Sequence, residues 1–446
     1  MSDEIVYPLM RAHGRLAASG AGVVVRPAFF MVSMIVFCCA VSLPAQDPVQ
    51  EHGAPTPLSD AVAEAENNNS LIAAAGHAWS ASAHIAQQVR AQAASQAPVL
   101  DGHAGTRNSP AKPSNSDPAK MEMGAPQKPA HPGELQQWSE AAKREAETQH
   151  AQVDVFRSNI ADQVKTIYLR LAYLYQMYDL DDRGAADLAA LIQTEVSKYS
   201  LGIGSQADVL RAQLERTKLL RETTLQHEEV GGLQANLKAL LHRLPDSPDI
   251  IPERVAVTHL KLGAGELLAM ASEQNPTLIA DGRMIEAQSA QLDAVKADTR
   301  SEFNLGYTFP QTGESYRDGY VLTLNRQLPR GPGEDDRIAA AVERVESSNS
   351  QASEDRLRQL AEVQKQFVIV ASAEELMREC NEGLVPQSKA IFQSKLAGYQ
   401  SDREKFSAVI EAFLDELIFE DDYLQALLDH ETALAHLETL TGGKLR

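Results

Sequence analysis

The sequence predicts a mainly α protein with a small β part, made of two copies of a long-helix hairpin. Three observations carry this. Long stretches place apolar residues at steps of three and four, the period of helices packed along a narrow seam. Aromatics make up only 5% of the chain while Ala, Gln, Glu and Leu abound, which suits long helices. Two sets of residues also recur in the same order about 200 positions apart. A chain of 446 residues has room for two such copies.

The elements follow in order. Arg11, Arg15 and Arg26 precede an apolar run, Arg26–Gln46, that closes on Leu43-Pro44-Ala45. This is the layout of a secretory signal peptide over residues 1–45, with Met10 the alternative start. The rival reading is a membrane anchor, since about 18 apolar residues is the lower limit for spanning. Lipidation at Cys38 or Cys39 is disfavoured because Ile35-Val36-Phe37 lacks small residues. Residues 46–57 are a linker by composition. From Leu58 to Ala97 the chain is Ala-rich with helical spacing, and Ser59-Asp60 can cap its start. Residues 98–134 contain seven prolines and little apolar pattern, so they are expected to be extended or disordered, in place of a hairpin.

From Leu135 to about Lys198, Phe156, Ile160, Val164, Ile167, Leu171, Leu174 and Tyr178 form one stripe, which Asp179–Gly184 is expected to disturb at most locally. A second helix runs from Gln206 to about Arg243, and Pro245–Glu253 ends the half. Residues 245–264 are a linker. The second half starts with a helix from Gly265 to Thr299. The period then changes to two: Phe303, Leu305, Tyr307 and Phe309 share one face of a strand, and Tyr320, Leu322 and Leu324 share one face of the next. This predicts a β-hairpin at about 303–328. Helix returns from Asp335 to about Cys380, Pro386 interrupts nearby, and a last helical run covers Ser388 to Leu440.

Charge and motifs narrow the function. A net charge of −20 argues against a nucleic-acid partner, which needs a basic face. No CxxC, Walker loop, GxGxxG, HExxH or GxSxG is present, so no enzyme activity and no cofactor are expected.

The halves match closely enough to be copies. Glu66–Ala73 aligns with Glu273–Ala280 at an offset of 207, which pairs Asn68 with Asn275. Tyr199, Val209, Ala212, Leu237 and Leu240 align with Tyr399, Val409, Ala412, Leu437 and Leu440 at an offset of 200. The first repeat is thus 58–244 and the second 265–442. Copies of this kind stack their apolar faces on each other.

These residues resemble the TolC-like outer-membrane efflux protein family over nearly the whole chain from about Leu58 to Gly442. The resemblance rests on Asn275-Pro276-Thr277-Leu278 and the weaker Asn68-Asn69-Ser70-Leu71. It rests also on Tyr199, Gly202, Ser205, Asp208, Val209, Leu210 and Ala212 at the family's spacing, and on Leu437-Glu438-Thr439-Leu440-Thr441-Gly442. Arg326–Gly331 fits the family's strand-to-helix turn. A further run, Met123-Gly124, Gln127 and Pro132-Gly133-Glu134-Leu135, is similar to members tied to heavy-metal efflux.

The resemblance implies a homotrimer with an α-helical coiled-coil barrel crossing the periplasm and a β-barrel in the outer membrane. It implies a periplasmic adaptor docked at the tip formed by Tyr199, Gly202, Gly204 and Ser205, and an inner-membrane pump behind the adaptor. Phe303, Leu305, Tyr307, Phe309, Tyr320, Leu322 and Leu324 would face the membrane. The chain departs from the pattern in two places. Strands at 303–309 and 319–325 are shorter than the roughly 9–11 residues a span needs, and 98–134 barely alternates, so the barrel is expected to be degenerate. In the second copy Asp402, Lys405 and Ala408 replace Gly, Ser and Asp of the tip.

Each candidate residue has a plainer reading. Asp208 is either one member of a carboxylate ring that gates the lumen or a first-turn acid at a helix N-terminus, with Arg211 in reach at i,i+3. Met121, Met123 and His131 are soft-ion ligands or loop residues, and His103 a solvated histidine. Tyr307, Tyr316 and Tyr320 belong to an interfacial girdle or are ordinary strand tyrosines. Glu411, Asp415, Glu416, Glu420, Asp421 and Asp422 form a lumen stripe or a solvated face. The rival to the duct is a periplasmic helical scaffold that docks partners without spanning the membrane. A membrane-fusion adaptor is a third class, disfavoured by the duplicated hairpin and the lack of β-rich flanks.

Overall fold

A computed structural model describes residues 55–94, 101–103, 121–127, 132–298, 302–311, 321–327 and 333–445. The expected signal peptide, most of the 46–57 linker, His131, Tyr316 and Tyr320 lie outside the described residues. The first copy comprises α1 (Leu58–Asn68), α2 (Ser70–Ala94), β1 (Asp101–His103), β2 (Met121–Gln127), α3 (Pro132–Ser200) and α4 (Gln206–Leu240). The second comprises α5 (Ala264–Gln274), α6 (Pro276–Asp298), β3 (Glu302–Gln311), β4 (Val321–Gln327), α7 (Glu334–Glu379), a π-turn (Cys380–Leu384), α8 (Val385–Gln400) and α9 (Phe406–Thr441).

The predicted helix starting at Leu58 is two helices, broken at Asn69, and the one starting at Gly265 is broken at Asn275. The two asparagines do the same work. Asn69 accepts from the Leu71 amide (2.9 Å) and donates to the Leu240 carbonyl (3.0 Å). Asn275 accepts from the Thr277 amide (2.8 Å) and donates to the Leu440 carbonyl (2.8 Å). Each caps a helix start and a helix end with one buried amide. The alignment therefore needs correction by one residue: Asn69, not Asn68, is the counterpart of Asn275.

With 69 residues, α3 is about 100 Å long at 1.5 Å per residue. It packs against α2, α4, α6 and α9, while α9 packs also on α7 and α8. Ile160, Val164, Leu171 and Leu174 are buried and Ile167 and Tyr178 partly so, as the stripe predicts, but Phe156 is exposed. Helix α3 passes through Asp179–Gly184 without a break. Apolar clusters repeat along the bundle: Ala61, Ala65, Val164, Leu171 and Leu237 in the first copy, and Leu267, Ala271, Val363, Val370 and Leu437 in the second. Polar pairs cross from α3 to α9. Tyr173 donates to Asp421 (2.9 Å), Arg183 pairs with Glu420 (3.1 Å), and Lys165 with Glu438 (2.7 Å).

Within residues 98–134, expected to be extended or disordered, the described strands are β1 and β2. β1 and β2 join β3 and β4 in one antiparallel sheet of order β1-β2-β3-β4. Local alternation is hidden there by Gly124 and Pro126, and the register is supplied by β3 instead. β3 has 10 residues, more than the sequence pattern showed, whereas β4 has 7.

Candidate functional site

The two hairpins turn at residues 201–205 and 401–405, and both turns follow one backbone plan. In the first, the Ile203 and Gly204 amides both donate to the Lys198 carbonyl; in the second, the Arg403 and Glu404 amides donate to that of Gly398. Gly202 stands at φ +76° and its counterpart Asp402 at φ +56°. Both need the left-handed region, which glycine takes freely and aspartate tolerates. Ser205 accepts from the Ala207 amide (3.1 Å) and so caps α4. Lys405 makes no such bond.

Steric room is made on opposite sides of the two turns. A Cβ on Gly204 would lie 2.7 Å from the Tyr199 nitrogen and 3.1 Å from the Lys198 Cβ. In the second turn the larger residue, Glu404, sits where Gly204 does, and the glycine is Gly398, where Lys198 sits. A Cβ on Gly398 would lie 3.2 Å from the Glu404 Cβ. The apparent erosion of the second motif is thus a compensated swap that keeps the fold of the turn.

The two tips differ in surface. Leu201 and Ile203 are 74% and 70% exposed, and Tyr199 is exposed as well. The second tip offers Asp402, Arg403, Glu404 and Lys405, while Tyr399 is buried against Phe406 (ring centroids 5.5 Å apart). Lys198 joins them. Its ammonium donates to the Tyr399 carbonyl (3.2 Å), lies 3.4 Å from Asp402 Oδ1 and stands 3.7 Å from the Tyr399 ring centroid. Sequence reasoning missed Leu201 and Ile203, although two apolar residues beside the glycines of a turn were a usable signal.

Asp208 lies half-buried in the first turn of α4. Arg211 does not pair with it: its guanidinium lies 3.5 Å from Glu411 of α9, because the α4–α9 approach offers a second carboxylate across the seam. The charge of Asp208 bears instead on Glu195 of α3. Glu195 is 1% exposed and its Oε1 has no hydrogen-bond partner. Burial, then the nearby Asp208 charge, push the Glu195 carboxyl above its ordinary range, against the pull of Lys198. The acidic run of α9 is not one solvated face either: Glu411, Glu420 and Asp421 are each engaged by the first hairpin.

The sheet has a second kind of order. Its register sets Leu305, Tyr307 and Phe309 of β3 opposite Leu324, Leu322 and, on the other side, Met123 and Ala125 at positions of one face. Asn304, Gly306 and Thr308 oppose Asn325, Thr323, Val321 and Gly124 on the other face. Phe303 pairs with Arg326. Met121 and Met123 occupy positions on the mainly apolar face, and His103, opposite Glu122, on the other. The methionines and this histidine therefore do not share a face. No helix among the described residues is long and apolar enough to cross a membrane, and these residues hold no cluster arranged for a metal.

Long duplicated hairpins with turned tips and one antiparallel sheet make up a fold also seen in solved outer-membrane channels. Solved structures of that class match it across most of its length. The outer-membrane channel OprN matches at 16% identity and a TM-score of 0.73, covering 87% of this chain and 90% of that one. The outer membrane protein VceC from Vibrio cholerae matches at 15% and 0.71, covering 87% and 97%. CusC, solved in connection with transmembrane channel formation, matches at 15% and 0.73, covering 87% and 93%. The α-helical part of the TolC-like fold is therefore present. No family model and no curated protein matches the sequence.

Proposed function

We propose that the protein is the outer-membrane channel component of a tripartite efflux system, a passive duct that exports small molecules or metal cations. The observation that carries this is the fold shared over 87% of the chain with outer-membrane channels. The division of the sheet into a mainly apolar and a mainly polar face supports it, since a barrel wall must be apolar toward lipid and polar toward water. Three copies would close the barrel, with β3, β4 and β2 as its wall and the signal peptide directing export. Tyr199, Gly202, Gly204 and Ser205 shape the tip that would dock the periplasmic adaptor, backed by the inner-membrane pump. Asp208 would stand near the closed end of the lumen. No residue is assigned a catalytic part and no cofactor is needed. Cell fractionation with native mass measurement tests the placement: the expected result is a trimer extracted from outer membranes by detergent.

A periplasmic scaffold is the second reading, and strand length favours it. β1 has 3 residues and β4 has 7, short of the roughly 9–11 a spanning strand needs. Recovery of the protein in the soluble periplasmic fraction would support the scaffold and contradict the duct.

A further inference from the structure

The linker between α4 and α5 meets a group of buried polar residues that the tip and the sheet leave unexplained. Val255 of this linker packs on the cluster of Met377, Ala426 and Leu427. Glu431 of α9 anchors the next turn of chain: it is 1% exposed and accepts from the Thr258 amide (2.8 Å) and hydroxyl (3.3 Å). Beside it His430 is fully buried, with Nδ1 3.1 Å from Glu431 Oε1. That oxygen already accepts from an amide, so Nδ1 carries the hydrogen and donates, and the neutral ring keeps an acceptor at Nε2. Nε2 has no hydrogen-bond partner, yet it stands 3.4 Å from Oε1 of Glu374 on α7. His259 of the linker brings its Nδ1 to 3.7 Å from the same oxygen. Helix packing does not ask for this polarity. Buried Val164 and Leu171 of α3 correspond to Val363 and Val370 of α7. Glu374 therefore falls at the position of Tyr175, and His430 and Glu431 fall at those of Val230 and Gly231.

Glu374 and His259 line an open cavity of about 530 Å³, together with Val257, Tyr423, Asn381 and Glu382. Asn381 and Glu382 belong to the π-turn Cys380–Leu384, a rare element that occurs often at functional sites. Glu375 on the rim is taken by Arg378 (2.7 Å). Glu374 meets only the two histidines, and Glu382 forms no ion pair among the described residues. Two carboxylates in one cavity thus lack a cation, and three acceptors converge at one of them. We propose that the cavity binds an aliphatic diamine. One ammonium, a compact group with three N–H donors, is held by Glu374, His430 and His259. Glu382 receives the other, and Val257 and Tyr423 flank the methylene chain. The Glu374 side chain, 37% exposed, covers Nε2 of His430 and turns aside to admit the first ammonium. A guanidinium suits the site less well, because its donors lie in a flat, fixed fork and do not meet acceptors at one point.

The test titrates the purified full chain with putrescine by calorimetry, with butylamine and hexamethonium as comparisons. The expected result is a single saturable site for putrescine, weakened about tenfold by Glu374→Gln, the loss of one charged hydrogen bond. Glu382→Gln should weaken putrescine about threefold, as a more exposed ion pair would, and leave butylamine unchanged. Hexamethonium carries two charges and no N–H, and should not compete. His259→Ala alters a side chain that is 80% exposed; it should weaken both amines, and it carries the test if Glu374→Gln fails to fold. Absence of saturable putrescine binding, full affinity in folded Glu374→Gln or in His259→Ala, unchanged putrescine affinity in Glu382→Gln, or competition by hexamethonium would each overturn the site. The site does not rest on the duct reading: absent conductance alongside intact putrescine binding would count against the duct alone.

Discussion

Lys198 of the first hairpin donates to the backbone carbonyl of Tyr399 in the second, at 3.2 Å, with its ammonium 3.7 Å from the Tyr399 ring centroid. These residues lie 201 positions apart, and their contact is the tie between two turns that otherwise present different surfaces. Lys198→Ala removes a hydrogen bond and a cation–π contact, together about 1 kcal/mol at a partly exposed site. Hydrogen exchange should show faster exchange at residues 397–406 with little change in the α3 core. Unchanged protection there would mean that the contact holds nothing.

The glycine swap between the turns gives an asymmetric prediction. Gly204→Ala meets the rigid backbone at Tyr199, whereas Gly398→Ala meets chiefly the Glu404 side chain, 2.6 Å from its Cγ, which can move. Gly204→Ala should therefore unfold its tip more readily than Gly398→Ala does. Adding Glu404→Gly should rescue Gly398→Ala. Gly202→Ala, at φ +76°, should cost about 1–2 kcal/mol of local stability. Tip-specific proteolysis rates read all four variants.

Asn69 and Asn275 should prove equivalent. Replacing either by Ala strands a helix-end carbonyl and removes a cap, and should cost about 1–2 kcal/mol. Asn68→Ala should be nearly silent. Thermal unfolding of the three variants checks the corrected alignment directly, and a larger loss from Asn68→Ala would return the repeat to the offset of 207.

Much of this architecture was legible in the residues. The α3 stripe, the duplication, the β3–β4 hairpin and the Gly202–Ser205 turn all follow from period, repeat and turn chemistry. What was hidden depended on distant partners. Asn67-Asn68-Asn69 offers three equal choices, and only the Leu240 carbonyl selects one. β2 contains Gly124 and Pro126 and reads as loop until β3, about 180 residues later, supplies a register. The long pairs Arg211–Glu411 and Lys198–Tyr399 have no local signature.

Acidity should matter at the tip through Glu195. Its folded-state pKa is raised by burial and by Asp208, so the folded chain keeps a proton that the unfolded chain releases. Stability from this group is therefore greatest below the ordinary carboxylate range and falls as pH rises through the window up to the raised value. Glu195→Gln keeps the neutral shape without the ionisation. It should raise the unfolding midpoint at neutral pH and flatten its decline between acid and neutral pH. An unchanged slope would mean that Glu195 is charged in the folded chain.

His436 should act in the same direction at higher pH. The hydrogen bond to Asp162 (2.7 Å) holds its pKa above the ordinary histidine value. Its contribution is full below that ordinary value and is lost as pH rises through the raised one. Asp162→Asn should lower the midpoint more at mildly acid pH than at alkaline pH. Equal loss at both would assign the pair a packing role only.

Conductance of the purified full-length chain in liposomes or planar bilayers tests the central claim most directly. The duct account predicts discrete channel events from a trimer, sensitive to cations and enlarged or prolonged by Lys198→Ala. Properly folded trimer that inserts and gives no channel events, in either the unmodified chain or the Lys198→Ala variant, would contradict it.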